Sequence, residues 1–86
     1  MPKVPRILVV EDDLRIRREL LDALRSADFE VDVAVSYRDG LVAVKRDYAL
    51  VLLDLGLPDG DGLDLVRHLR ESGRGVPILI LTARDR

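Results

Sequence analysis

No cysteine occurs in the 86 residues, so neither a disulfide framework nor a thiolate metal site can form. A single histidine, His68, likewise excludes a zinc centre of the usual Cys/His kind. The aromatic residues are Phe29, Tyr37 and Tyr48 alone, which leaves almost nothing for nucleic-acid bases to stack on. Neither sign of charge prevails. The 14 basic and 16 acidic residues give a formal net charge of −2 and no overall attraction to nucleic acid or anionic lipid. No apolar run approaches the ~20 residues of a membrane span, and Met1 to Arg6 has no signal-peptide core, so a cytoplasmic location is expected. What is there is aliphatic and charged, 48% hydrophobic against 35% charged, which fits one folded domain and excludes a disordered tail.

Short apolar runs alternate with amphipathic stretches. Ile7-Leu8-Val9-Val10 is unbroken and bounded by charge, as in a strand buried on both faces. Asp13 is placed to cap a helix from Leu14 to Ala27, with Ile16, Leu20, Leu24 and Ala27 at helical spacing and Arg15, Arg17 and Arg18 on its solvated side. Phe29 to Ala34 alternates with period two and predicts an edge strand with one wetter face. Ser36 and Asp39 have capping-box spacing and open a weaker helix running to about Arg46.

Ala49 to Leu53 is a second apolar strand, stopping at Asp54. Leu57-Pro58-Asp59-Gly60-Asp61-Gly62 is a dense turn signal, with Asp59 and Asp61 as turn residues. A third helix is predicted over Leu63 to Ser72, with Leu63, Val66 and Leu69 on one side, Gly73 as its stop and His68 on its surface. Pro77 to Thr82 reads as a last strand of the buried type. This alternation predicts βαβ units, hence an α/β fold: a doubly wound parallel sheet in the order 2-1-3-4 with helices on both faces. Ligands bind such sheets beyond the carboxyl ends of the strands where the order switches, here between strands one and three.

The residues at that point are chemically unusual. Glu11, Asp12 and Asp13 follow strand one, Asp54 follows strand three, and Thr82 follows strand four. Two carboxylates ~4 Å apart repel by about 4 kcal/mol at an effective dielectric near 20, so a cation or a shared proton is required. Hard oxygen donors without nitrogen or sulfur suit Mg²⁺. An aspartate beside such a metal could attack phosphorus and form an acyl phosphate.

Three stretches together carry a family resemblance: Ile7-Leu8-Val9-Val10-Glu11-Asp12-Asp13, Leu52-Leu53-Asp54-Leu55-Gly56-Leu57-Pro58-Asp59-Gly60-Asp61-Gly62-Leu63, and Pro77-Ile78-Leu79-Ile80-Leu81-Thr82-Ala83-Arg84. In order and spacing they resemble the receiver domain of bacterial two-component response regulators, and the second is most similar to receivers of winged-helix transcription factors. The resemblance implies a flavodoxin-like receiver topology over residues 1–86, with Asp54 as phosphoacceptor for a sensor histidine kinase. It implies Mg²⁺ held by Asp12, by Asp54, by Glu11 through a water and by the Gly56 carbonyl. It further implies that the Thr82 hydroxyl and the Ala83 amide contact the phosphoryl group, and that the output is control of transcription. DNA contact is expected from the longer protein and not from this domain.

Receivers continue with a helix, a fifth strand bearing a phosphate-neutralising lysine, and a final helix. No residue of this chain matches that lysine; Lys3 and Lys45 fall at the wrong ends of their elements. The resemblance therefore implies the N-terminal portion of a receiver, with the fifth strand missing. One alternative is a phosphorylation-incompetent fragment that self-associates, as a homodimer or by exchange of elements, through the bare strand at Ile78–Leu81. A second, remoter one is an aspartyl-nucleophile phosphatase, which needs an acid two residues after the nucleophile, where Gly56 stands. A flavin module needs a hydroxyl- and glycine-rich loop after strand one, where Glu11-Asp12-Asp13-Leu14 stands and would repel phosphate.

Overall fold

Four parallel strands hydrogen-bond in the order β2-β1-β3-β4 in the computed structural model, which describes residues 4–81. The elements are β1 (Arg6–Val10), α1 (Leu14–Ser26), β2 (Glu30–Ala34), α2 (Tyr37–Ala43), β3 (Leu50–Leu53), α3 (Gly62–Glu71) and β4 (Ile78–Ile80). The predicted class, strand order and strand direction are all present.

The central strands are as dry as their composition demands: Ile7 to Val10 and Val51 to Leu53 are all buried. Alternation splits them between two cores. Leu8, Val10, Val51 and Leu53 meet Leu65 and Leu69 of α3 and, at the margin, Tyr37 and Leu41 of α2. Ile7, Val9 and Leu52 face the other way, toward Leu20 and Leu24 of α1. The sheet is therefore wound on both faces, the second core being the smaller.

Side chains set the helix ends. The Asp13 carboxylate accepts the Ile16 amide, and the Ser36 hydroxyl accepts that of Asp39. The Asp61 carboxylate accepts the amide of Leu63 and caps α3, a role beyond that of a turn residue. The chain leaves α1 through Asp28 at φ 67° and leaves α3 through Gly73 at φ 80°. Aspartate and glycine are suited to that left-handed conformation.

Four expectations need correction. Helix α2 stops at Ala43 instead of near Arg46, because the Arg74 guanidinium takes the carbonyls of Val44, Lys45 and Arg46 at 2.6–2.8 Å. Leu63 is 52% exposed and Leu65 takes its place in the core. The cause is Gly62, which lies against the Leu55 and Asp54 backbone, so Gly62, Leu65 and Leu69 define the inward face and Leu63 points away from it. In α1 no residue is fully buried and Ala27 is the exposed C-cap. Finally, β4 is not of the buried type. Leu79 is 56% exposed and Ile80 40%, and no described strand lies beyond β4.

Candidate functional site

The register of the sheet brings the acids together. Val10 stands opposite Leu53 across the β1–β3 ladder, so Glu11 and Asp54 each lie one step past the last pair. The ladder runs on to hold them: the Asp54 amide donates to the Val10 carbonyl at 3.0 Å, and the Glu11 amide to the Ala34 carbonyl at 3.0 Å. Two strands buried on both faces thus deliver two carboxylates to one point, with the backbone pairing fixing the positions from which both side chains start. Asp12 follows on the loop to α1. Ligand atoms of Glu11, Asp12 and Asp54 all lie within 4.8 Å of one another. Glu11 and Asp54 are fully buried, and Asp12 alone of the three reaches solvent.

Local hydrogen bonds fix the cluster. Glu11 Oε2 accepts the Asp13 amide at 3.2 Å, and Asp54 Oδ1 accepts the Gly56 amide at 3.1 Å. The second bond folds the start of the β3–α3 loop back over the nucleophile candidate and keeps Gly56 beside it. Burial, reinforced by its contact with Asp54, pushes the Glu11 carboxyl up from its ordinary 4.5 to about 7. At 4.8 Å, charges of one sign repel by about 3.5 kcal/mol per pair at an effective dielectric near 20. Such a group has two ways to relax, a retained proton or a bound cation. Its donors are all hard carboxylate oxygens, so the three side chains form a group able to hold a metal ion of the magnesium or calcium kind. Among the described residues, the cavity of about 490 Å³ lined by Arg6, Glu30, Tyr48 and neighbours lies at the other end of β1 and β2. It has no comparable convergence of donors.

The sequence-derived set is thus partly assembled. Glu11, Asp12 and Asp54 come together, and Gly56 is tied to Asp54. Thr82 and Ala83 lie outside the described residues. His68 is exposed on α3, as expected. Two residues were underrated by sequence. Arg17, assigned to a solvated face, is half-buried and donates to the carbonyls of Glu11 and Asp12 at 3.2 Å, clamping the acidic loop. Its position four residues after the cap Asp13, hence back over the first turn, was the available signal. Asp59, assigned to a turn, accepts the amides of Tyr37 and Arg38 across the molecule. Nothing local in the sequence marks a partner 22 residues away.

Comparison with known proteins agrees with this geometry. The response regulator receiver domain family matches residues 7–86. The chain is 44% identical over 79 residues to the probable transcriptional regulatory protein SilR of Salmonella typhimurium, covering 91% of this chain and 35% of that protein. It is 44% identical over 80 residues to the KDP operon transcriptional regulatory protein KdpE of Escherichia coli K12, covering 92% of this chain and 35% of that protein. The chain therefore spans about a third of the length of these curated relatives. Among solved structures, a CheY-like receiver domain protein from Methanospirillum hungatei superposes with a TM-score of 0.90 at 27% identity, over 98% of this chain and 68% of that one. The MaeR response regulator bound to beryllium trifluoride gives 0.84 at 29% identity, over 96% and 70%. With its sheet order, its acids at the switch point and these matches in agreement, the chain belongs to the response regulator receiver domain family, of the type carried by transcriptional regulators.

Proposed function

We propose that Asp54 is the phosphoacceptor of this receiver and that a sensor histidine kinase is its donor. The observation that carries the reading is the buried Asp54 carboxylate, oriented by the Gly56 amide and within 4.8 Å of Glu11 and Asp12. A carboxylate oxygen of Asp54 attacks phosphorus, a P–O bond forms, and the P–N bond to the donor imidazole breaks. The imidazole nitrogen leaves and takes up a proton. The product is an acyl phosphate. Asp12, Asp54 and the Gly56 carbonyl would hold Mg²⁺, with Glu11 acting through a water; the ion would supply the positive charge that the acids and the phosphoryl oxygens share. Arg17 keeps the acidic loop in place, and Thr82 and Ala83 are assigned to the phosphoryl oxygens on the family resemblance.

The added charge biases a two-state surface, and a longer protein of the SilR and KdpE kind would read it out as control of transcription in the cytoplasm. No described helix is long and apolar enough to cross a membrane. The domain accepts one group and does not turn over. Incubated with Mg²⁺ and phosphoramidate, a protein carrying this receiver gains the mass of one phosphoryl group, and its Asp54→Asn variant gains none. Equal gain by both would overturn the assignment, and repeated turnover of donor would identify a phosphatase.

The exposure of Leu79 and Ile80 favours a second property, self-association of the 86-residue chain through β4. Sedimentation should then give a weight-average mass rising with concentration; a constant monomer mass would refute it.

A further inference from the structure

The loop from Leu55 to Asp61 carries Gly56 and must hold its shape on the rim of the acid cluster. Its inner half is anchored by Leu57, which is buried, and by the Gly56 amide on Asp54. Its outer half is anchored by Asp59. That carboxylate accepts the Tyr37 amide at 2.7 Å and the Arg38 amide at 3.1 Å, both in the first turn of α2. These amides would otherwise be unsatisfied donors at a helix start, and they hold the Asp59 carboxyl below its ordinary value. Gly60 completes the junction. A Cβ there would overlap the Tyr37 side chain, with Cδ2 only 2.7 Å away, so the loop packs closely against the start of α2.

An aspartate bonded only to its neighbours in sequence would reach two or three residues ahead, as Asp61 reaches Leu63 to cap α3. The bonds of Asp59 instead join elements 21 and 22 residues apart. We infer that Asp59 is a positioning residue, strapping the β3–α3 loop to the start of α2 and so holding Gly56 in place to complete the metal site. This role rests on the metal reading proposed above.

The test compares Mg²⁺ affinity of the wild-type 86-residue chain with that of Asp59→Ala, Asp59→Asn and Asp61→Ala, by calorimetry. In parallel, hydrogen exchange of the Gly56 amide is followed without metal. Asp59→Ala should weaken Mg²⁺ binding roughly 10-fold, the low end of what loss of an outer support costs a metal site, and speed Gly56 exchange by a similar factor. Asp59→Asn keeps one acceptor oxygen but turns an NH2 donor toward the second amide, so it should recover only part of either loss. Asp61→Ala should bind within about twofold of wild type, since it loses only a local helix cap. Unchanged affinity in Asp59→Ala, or equal weakening in Asp61→Ala, overturns the inference and leaves the metal reading intact. If wild type binds no Mg²⁺, the metal reading itself fails and the role of Asp59 falls with it.

Discussion

Glu11→Gln stabilises the metal-free chain at pH 8 by about 2–3 kcal/mol and removes most of its pH dependence between pH 4.5 and 7. Burial is the main cause. The Glu11 side chain has no exposure, and its carboxyl is pushed up from 4.5 in an open chain to about 7 in the fold. Below pH 4.5 both states hold the proton and the group contributes no difference. Between pH 4.5 and about 7 the folded state binds more protons than the unfolded one, so stability falls as pH rises. Above about 7 the loss is complete. The interval corresponds to about 3 kcal/mol, an upper value because the surroundings relax. Glutamine keeps a side-chain oxygen for the Asp13 amide and carries no charge. Urea midpoints from pH 4.5 to 8 measure the effect. Parallel curves for both proteins would mean that Glu11 is ionised at no cost, and the electrostatic account of the cluster would be wrong. Millimolar Mg²⁺ should restore wild-type stability at pH 8 and leave Glu11→Gln less changed, because the cation replaces the proton as the neutralising charge.

Gly62→Ala should destabilise the chain by about 2–3 kcal/mol, lowering the melting midpoint by roughly 10 °C or more. A Cβ at this position would sit 2.8 Å from Leu55 Cα and 3.0 Å from the Asp54 carbonyl oxygen. Both are backbone atoms beside the core and cannot swing aside as a long side chain can. Helix α3 must move off the sheet, which loosens Leu65 and Leu69 and shifts the strand end that carries Asp54. A loss of less than about 0.5 kcal/mol, the range of ordinary surface changes, would show that the contact is not rigid. The propensity gain of alanine over glycine, at most about 1 kcal/mol, works against the prediction and makes a large loss more telling.

Legibility in the sequence followed the range of the forces involved. The unbroken aliphatic runs at Ile7–Val10 and Leu50–Leu53 could only be buried strands, and their burial fixed where Glu11 and Asp54 would emerge. Caps at Asp13 and Ser36 were legible for the same reason, since each bonds three residues ahead. Long-range side-chain bonds were not legible. Arg74 ends α2 from about 30 residues away, and Asp59 grips α2 from the far side of β3. In α3 the sequence leaves the helical phase open, because Leu63, Val66 and Leu69 form an acceptable apolar stripe. Only the close approach of Gly62 to the β3 end selects Leu65 in preference to Leu63. Local composition gives Ile78-Leu79-Ile80 the look of a central strand; the bare edge at Ile78–Leu81 was legible only through the family resemblance, and β4 does lie at an edge of the described sheet.

Borohydride reduction of the phosphorylated protein, followed by peptide mass mapping, tests the central claim most directly. Hydride reduces an acyl phosphate and converts the modified aspartate to homoserine. With Mg²⁺ and a phosphodonor, a protein carrying this receiver should yield homoserine at position 54 alone, and chelation of Mg²⁺ should abolish it. Homoserine at position 12, the corresponding alcohol at position 11, or modification that persists without divalent cation would contradict the account.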